Sequence, residues 1–167
     1  DDSDKRVAHL MSELQARQIE LEMQNRELRE AQQTLEETRD RYAALYDFSP
    51  VGYLTLDVSG LIVEINLTGA AMLGLERANI VGKPFVSHLA NGDTYAFSHH
   101  LRQTFQSPGN SIVELRVINH DGGVNHVRLE SAVVLNERQV CQTVMTNITE
   151  QQRTVMELQQ MRTEQEA

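Results

Sequence analysis

Gly52-Tyr-Leu-Thr-Leu-Asp57, Val58-Ser-Gly60 and Leu61-Ile-Val-Glu-Ile65, closed by Asn66, decide how this chain folds. The first segment alternates apolar and polar residues, a turn-rich stretch interrupts it, and a second apolar segment follows. That pattern predicts two strands joined by a turn over Asp57 to Gly60. Asn66 suits a helix N-cap, because its side-chain oxygen can accept from free backbone N–H groups at a helix start. Gly74 suits the left-handed position that closes a helix over 67–73. Downstream, a short helix is expected over 84–89. A longer one is expected from its cap at Asp93 to Gln106, where Ser107-Pro-Gly-Asn110 breaks it. Three more strands are expected at 111–119, 124–135 and 139–147, joined by turns at His120-Asp-Gly-Gly123 and Asn136-Glu-Arg-Gln139. Two strands, several small helices and three strands describe an α+β fold, a five-stranded antiparallel sheet with short helices on one face.

Outward from this block the composition changes. From Ser3 to Asp47 there is no Gly or Pro, and Glu, Gln, Arg, Leu and Ala dominate, which is the composition of a long helix. Leu14, Leu21, Leu28 and Leu35 are spaced by seven, Tyr42 extends the series, and Leu10, Ala31 and Leu45 fall on the same stripe. A strict seven-residue apolar repeat winds a helix into a left-handed supercoil, since a straight helix would drift off the seam. The companion positions Arg17, Gln24 and Thr38 are polar. The expectation is a marginal, parallel, two-stranded coiled coil, and hence a homodimer. From Thr149 onward the Gln, Glu, Arg and Met composition returns, and Ile148, Val155 and Leu158 make one short seam. The chain therefore divides into an N-terminal coiled-coil helix over 1–47, a globular domain over 48–147 and a C-terminal helix over 148–167.

Of 167 residues, 24 are acidic and 15 basic, a formal charge of -9, with -5 of it in residues 1–47. A nucleic-acid binder needs clustered Lys and Arg to displace counterions, so that class is excluded. The single cysteine, Cys141, excludes an internal disulfide and fits a reducing compartment, so a cytoplasmic location is expected. No apolar run approaches the roughly 20 residues that span a bilayer.

The order of these segments resembles the PAS family. Tyr46-Asp-Phe-Ser-Pro-Val-Gly-Tyr-Leu-Thr-Leu-Asp57, Gly60-Leu-Ile-Val-Glu-Ile-Asn66 and Leu73-Gly74 resemble the start of a PAS domain. Ile80-Val-Gly-Lys-Pro-Phe85 resembles the opening of its middle helices. Glu114-Leu-Arg116 through Asp121-Gly122 to Val127-Arg-Leu-Glu130 resembles its paired central strands. Asn147-Ile-Thr-Glu150 resembles the Asp-Ile-Thr motif before a signalling helix, with Asn in place of Asp. His126 lies near a place where the family often has Trp. Glu13-Leu-Gln15 through Gln18-Ile-Glu-Leu-Glu-Met-Gln-Asn25 resembles the coiled coil that precedes PAS domains in bacterial sensors. The resemblance implies a bacterial sensory and signal-relay module that dimerises and drives an output domain, such as a histidine kinase or a diguanylate cyclase. The alternatives are a ligand-free dimerisation scaffold and, from another class, a ligand-transforming enzyme.

For a small-molecule ligand, a pocket is expected between the sheet and the middle helices. Tyr95, His99 and Arg102 share one helix face by three-and-four spacing. Val113, Leu115 and Val117, or Val127, Leu129 and Ser131, are the expected opposing surface. No cofactor is expected. The flavin-adduct branch of the family needs a Cys in the middle helices, whereas Cys141 falls on the last strand. Haem needs an axial His facing the pocket, and of the neighbours His99 and His100 at most one can face the sheet. His88, His120 and His126 lack metal-ligand spacing. Ser98, His99 and His100 point apart on a helix and no acid is placed to orient a ring, so catalysis is not expected. Asn147, Ile148 and Thr149 are the expected signal junction, Asn147 capping the last helix with Glu150 three residues on.

Overall fold

A computed structural model describes residues 1–107, 109–134 and 139–166. It divides into two compact units, Asp1–Leu45 and everything from Tyr46 onward. The C-terminal helix thus groups with the sheet. No helix among the described residues is long and apolar enough to cross a membrane.

The first unit belongs to α1 (Asp2–Asp47), a single uninterrupted helix with no buried residue. Its leucines stand in solvent, Leu14 at 65% exposure and Leu35 at 68%. Among the described residues, none of the stripe that the seven-residue spacing defines is buried.

The second unit is a five-stranded antiparallel sheet in the order β2-β1-β5-β4-β3. The strands are β1 (Gly52–Asp57), β2 (Ile62–Ile65), β3 (Ser111–Ile118), β4 (Val124–Val134) and β5 (Val140–Asn147). The first hairpin closes as its sequence demands. The Asp57 carboxylate accepts from the N–H groups of Ser59 and Leu61, and Gly60 takes a φ of 84° that an L side chain resists. The expected connection at 136–138, the last expected residue of β4, Leu135, and Pro108 of the expected helix break lie outside the described residues.

Helices α2 (Leu67–Leu73) and α3 (Thr94–Gln106) cover one face, with 3-10 turns at Arg77–Asn79 and Phe85–His88. The first of these turns carried no sequence signal, and the second replaces the short helix expected at 84–89. Asn66 and Gly74 cap α2 as expected, Asn66 accepting from Gly69 N–H and Gly74 taking a φ of 73°. Asp93 stands at the N-cap of α3 but makes no side-chain cap bond, which corrects the expectation. Its carboxylate instead accepts from the backbone N–H of Arg116 at 2.8 Å and from the Arg116 guanidinium at 3.0 and 3.1 Å. A charge-assisted, two-pronged contact outcompetes a single neutral cap. It also holds the segment before α3 along β3, where Ala90 N–H donates to Arg116 C=O and Leu89 bridges Val117. At the opposite edge Gly82 N–H donates to Ile62 C=O. Part of each edge strand, at Ile62 on β2 and at Arg116 and Val117 on β3, is thereby covered by its own chain, which blunts strand addition there.

The core lies between the sheet and these helices. Leu54, Leu56, Phe85, Phe97, Val127 and Leu129 are among its enclosed members, each no more than 2% exposed. Helix α4 (Thr149–Glu166) follows β5 after a single residue and buries none of its own side chains.

Candidate functional site

Three places in the second unit gather polar side chains where the chain is otherwise apolar: the entry from α1, the interior under α3, and the exit into α4.

At the entry, Asn66 is fully buried and uses its whole side chain. Its amide N–H groups donate to Tyr46 C=O at 2.6 Å and Val51 C=O at 3.1 Å, while Oδ1 accepts from Tyr53 and Gly69 N–H, each at 2.9 Å. The last turn of a helix leaves carbonyl groups without partners. Here Asn66 and Thr68 supply them, Thr68 donating to Asp47 and Ser49 C=O. Asp47 returns the favour, accepting from Leu67 N–H at 3.2 Å and pairing with Arg77 at 3.3 Å. The end of α1 and the start of α2 therefore cap each other. Tyr46 also stacks on Tyr53 with ring centres 5.9 Å apart, and burial, with Glu64 beside it, pushes its hydroxyl pKa well up. Gly69 is required at this contact, since a Cβ there would meet Ile65 at 2.9 Å and Asn66 Oδ1 at 3.1 Å.

In the interior, α3 turns the opposite face inward from the one expected. Tyr95 is 78% exposed and stacks on His99, which is exposed too, as is Arg102. Their spacing puts them on one face, but that face meets solvent, because Phe97, His100, Leu101 and Thr104 carry the buried side of α3. The expected pocket loses its helical half, and Tyr95, His99 and Arg102 are corrected to surface residues. On the sheet side, Leu115, Val127 and Leu129 are buried in the packed core, and Val113 packs against it half-buried. His100 is buried, its Nε2 2.9 Å from Ser131 Oγ, and Ser131 Oγ lies 2.7 Å from Thr143 Oγ1. Cys141 Sγ is 3.8 Å beyond Thr143. Burial lowers the pKa of His100 and raises that of Cys141. His88 is buried as well, its Nε2 without a partner, and burial followed by the charge of Lys83 lowers its pKa. Sequence reasoning placed Ser131 on the sheet surface facing the helices but missed Thr143 and the bonds that join them to His100. Thr143 looks like an ordinary strand residue, and only its inward register between Cys141 and Met145 marks it. Among the described residues no cluster of His, Cys, Asp or Glu is arranged to hold a metal ion.

At the exit, β4 holds the first residues beyond β5. Ile148 N–H donates to His126 C=O at 2.8 Å, and His126 N–H donates to Thr149 Oγ1 at 3.0 Å. Thr149 in turn donates its hydroxyl and its N–H to Asn147 Oδ1. Asn147 Oδ1 thus meets the first N–H of α4, while Ile148 plays another part than the seam expected for it. It is 2% exposed, a buried anchor beneath the helix start. Gln152 reaches Glu114 on β3 at 3.3 Å. A surface groove of about 290 Å³ runs beside α4, between Val124 and His126 on the sheet and Gln152 and Met156 on the helix.

A sheet of this order, with α2, two 3-10 turns and α3 on one face, fits a known family, and the family model described as PAS fold matches residues 40–150. The chain belongs to the PAS family. The PAS domain of an HTR-like protein from Haloarcula marismortui is similar at 23% identity and a TM-score of 0.64, over 72% of this chain and 99% of that one. A domain of a sensory box sensor histidine kinase/response regulator from Geobacter sulfurreducens is similar at 16% identity and a TM-score of 0.56, over 68% and 96%. The PAS domain of nitrogen regulation protein NR(II) from Vibrio parahaemolyticus is similar at 14% identity and a TM-score of 0.54, over 64% and 96%. At such identities these likenesses establish the PAS fold. No curated protein matches the chain in sequence.

Proposed function

We propose that this PAS domain is a sensory and signal-relay module of a bacterial signal-transduction protein, not an enzyme. It pairs with a second copy through α1 and passes a conformational change through α4 to an output domain, such as a histidine kinase or a diguanylate cyclase. The observation that carries this reading is that both flanking segments are tied by hydrogen bonds to the globular unit, the end of α1 at the start of α2 and the start of α4 at β4. The last residues of α1 are capped by Asn66 and Thr68, and the first residues of α4 are hydrogen-bonded to His126 of β4. Strain at either junction is felt by the strands between them. The kinase named among the structural neighbours supports an output of that class. The stimulus in this reading is a movement of the N-terminal coiled coil, or a small molecule that α3 would have to part from the sheet to admit. Only a difference in contacts between two states can carry such a signal.

The test replaces Cys141 with Ala and places a spin label at Gln159. Inter-label distances are compared between this parent and Asn147→Ala/Thr149→Ala. A defined distribution in the parent that broadens or shifts in the variant is the expected result. A broad, unchanged distribution in both ends the relay reading and leaves α4 an inert tail.

A further inference from the structure

The polar line under α3 has a property that its apolar surroundings dictate. Helix α3 contributes His100, β4 contributes Ser131 and β5 contributes Thr143, with Cys141 at the far end. A neutral imidazole fits this line in two hydrogen orders. In one, the thiol donates to Thr143, Thr143 to Ser131, and Ser131 to a bare Nε2. In the other, Nε2–H donates to Ser131, Ser131 to Thr143, and Thr143 to the sulfur, a weak acceptor. A protonated ring permits only the second order. It also places a full charge among apolar side chains, and among the described residues no carboxylate is hydrogen-bonded to the ring or to Ser131 and Thr143.

The turn between β1 and β2 lies against Phe97 and Leu101 of α3 at Gly60, and its carboxylate, Asp57, accepts from Ser59 and Leu61 N–H and acts on Cys141 at the far end of the line. The inward residues of β3 next to α3 are Val113, Leu115 and Val117, none of which titrates. From β4 and β5 come Leu129, Ser131, Thr143 and the Cys141 thiol, which burial keeps protonated. On α3 itself, Thr104 donates back to His100 C=O, and the charged Arg102 lies on the outer face. The 85–88 turn packs on α3 through the Phe85–Phe97 ring pair, 4.9 Å between centres, and adds only His88. Asp93 at the start of α3 is taken by Arg116.

We propose that the His100–Ser131–Thr143 line is an acid-sensitive latch: neutral, it ties α3 to β4 and β5; protonated, it lets α3 part from the sheet. As a stimulus for α4 the latch rests on the relay reading above, while as a latch it stands by itself. The sign follows from linkage. Burial depresses the folded-state pKa of His100 below the free imidazole value of about 6.5, so the native state binds fewer protons than the unfolded one below that pH. Closure is therefore at full strength above about pH 6.5 and weakens as the pH falls toward the depressed value.

Cys141 reports the opening, because its side chain is fully buried at the far end of the line. Its reaction with a pyridyl disulfide is followed from about pH 7.5 to pH 5, a window above the range of Asp93. Each rate is divided by that of the same protein unfolded in guanidinium, which removes the thiol's own titration. The protection of Cys141 is expected to fall at least about tenfold across the window in the wild type and in His88→Leu. In His100→Gln, whose amide can bond Ser131 but cannot titrate, it should fall less than about threefold. An equal fall in His100→Gln, or a flat wild type, overturns the latch. Should His100→Gln not fold, the imidazole NMR signals of the wild type decide. A His100 ring that titrates at or above the free imidazole range, or apart from the loss of Cys141 protection, overturns it as well. Neither measurement uses distances along α4, so failure of the latch and failure of the relay are read separately.

Discussion

Asn66 shows how much one buried amide can hold. Replacing it with Ala leaves Tyr46 and Val51 carbonyls and Tyr53 and Gly69 N–H groups short of a partner in a site closed to water. A single unsatisfied buried group costs about 1–3 kcal/mol, and the truncated side chain lets some of the four reach water. Asn66→Ala is therefore expected to lose about 3 kcal/mol in urea unfolding, several times what a lost helix cap alone costs. A loss below about 1 kcal/mol would mean that the helix ends do not depend on it. His88 carries the opposite expectation, since its Nε2 is buried with nothing to bond. His88→Leu should raise stability by about 1 kcal/mol at neutral pH. The pKa of His88 is also lowered, so the wild type loses stability as the pH falls below about 6.5, and the variant should lose less of it. Urea midpoints at two pH values check both points. The sequence shows Asn66 as a cap, because capping needs only near neighbours along the chain. Its bonds to Tyr46 and Val51 reach back 20 and 15 residues, beyond any local pattern.

At the scale of elements, α1 and α4 share a problem, since neither buries a side chain of its own. An exposed helix held by propensity alone is marginal, and a helix with a seven-residue leucine stripe finds its stability in another helix. Each Leu buried in such a seam is worth roughly 1.5–3 kcal/mol. Leu21→Glu/Leu28→Glu is expected to turn a dimer into a monomer in light scattering at tens of micromolar. A monomeric wild type would refute the pairing. The polar companions are expected to keep that pairing weak, so Gln24→Leu/Thr38→Leu should tighten it at least about tenfold by sedimentation. At α4 the decisive contact is one hydroxyl. Thr149→Val keeps the shape but loses the bonds to His126 N–H and Asn147 Oδ1. The expected loss is about 1 kcal/mol of stability, together with a broader distance distribution from labels at Gln159. An unchanged distribution would place the control of the helix start elsewhere.

For the whole molecule, charge bears on the pairing proposed for α1. Each carries -9, with -5 in residues 1–47, so two parallel copies of α1 repel one another along their length. Salt screens that repulsion over about 10 Å at 0.1 M, and dimer affinity should accordingly rise with ionic strength. Affinity that falls as salt is added would show the pairing to rest on cross-helix ion pairs instead. What the sequence by itself determined is whatever depends on near neighbours. Alternation and turn residues place β1, β2 and their hairpin, Asn66 and Gly74 bound α2, and a Gly- and Pro-free run with a leucine repeat makes α1. The family was legible for the same reason, since its motifs are short runs in a set order. Only the tertiary structure decided which face of α3 looks inward. Tyr95, His99 and Arg102 form as regular a stripe as Phe97, His100, Leu101 and Thr104, and spacing alone cannot tell which stripe meets the sheet. It also decided that Asp93 holds Arg116 and not the helix N-terminus, because its partner lies 23 residues away on β3. The line from His100 through Ser131 to Thr143 joins residues 31 and 12 positions apart. Strand register sets those distances, and register is fixed by the packing of the entire sheet rather than by any stretch of the chain.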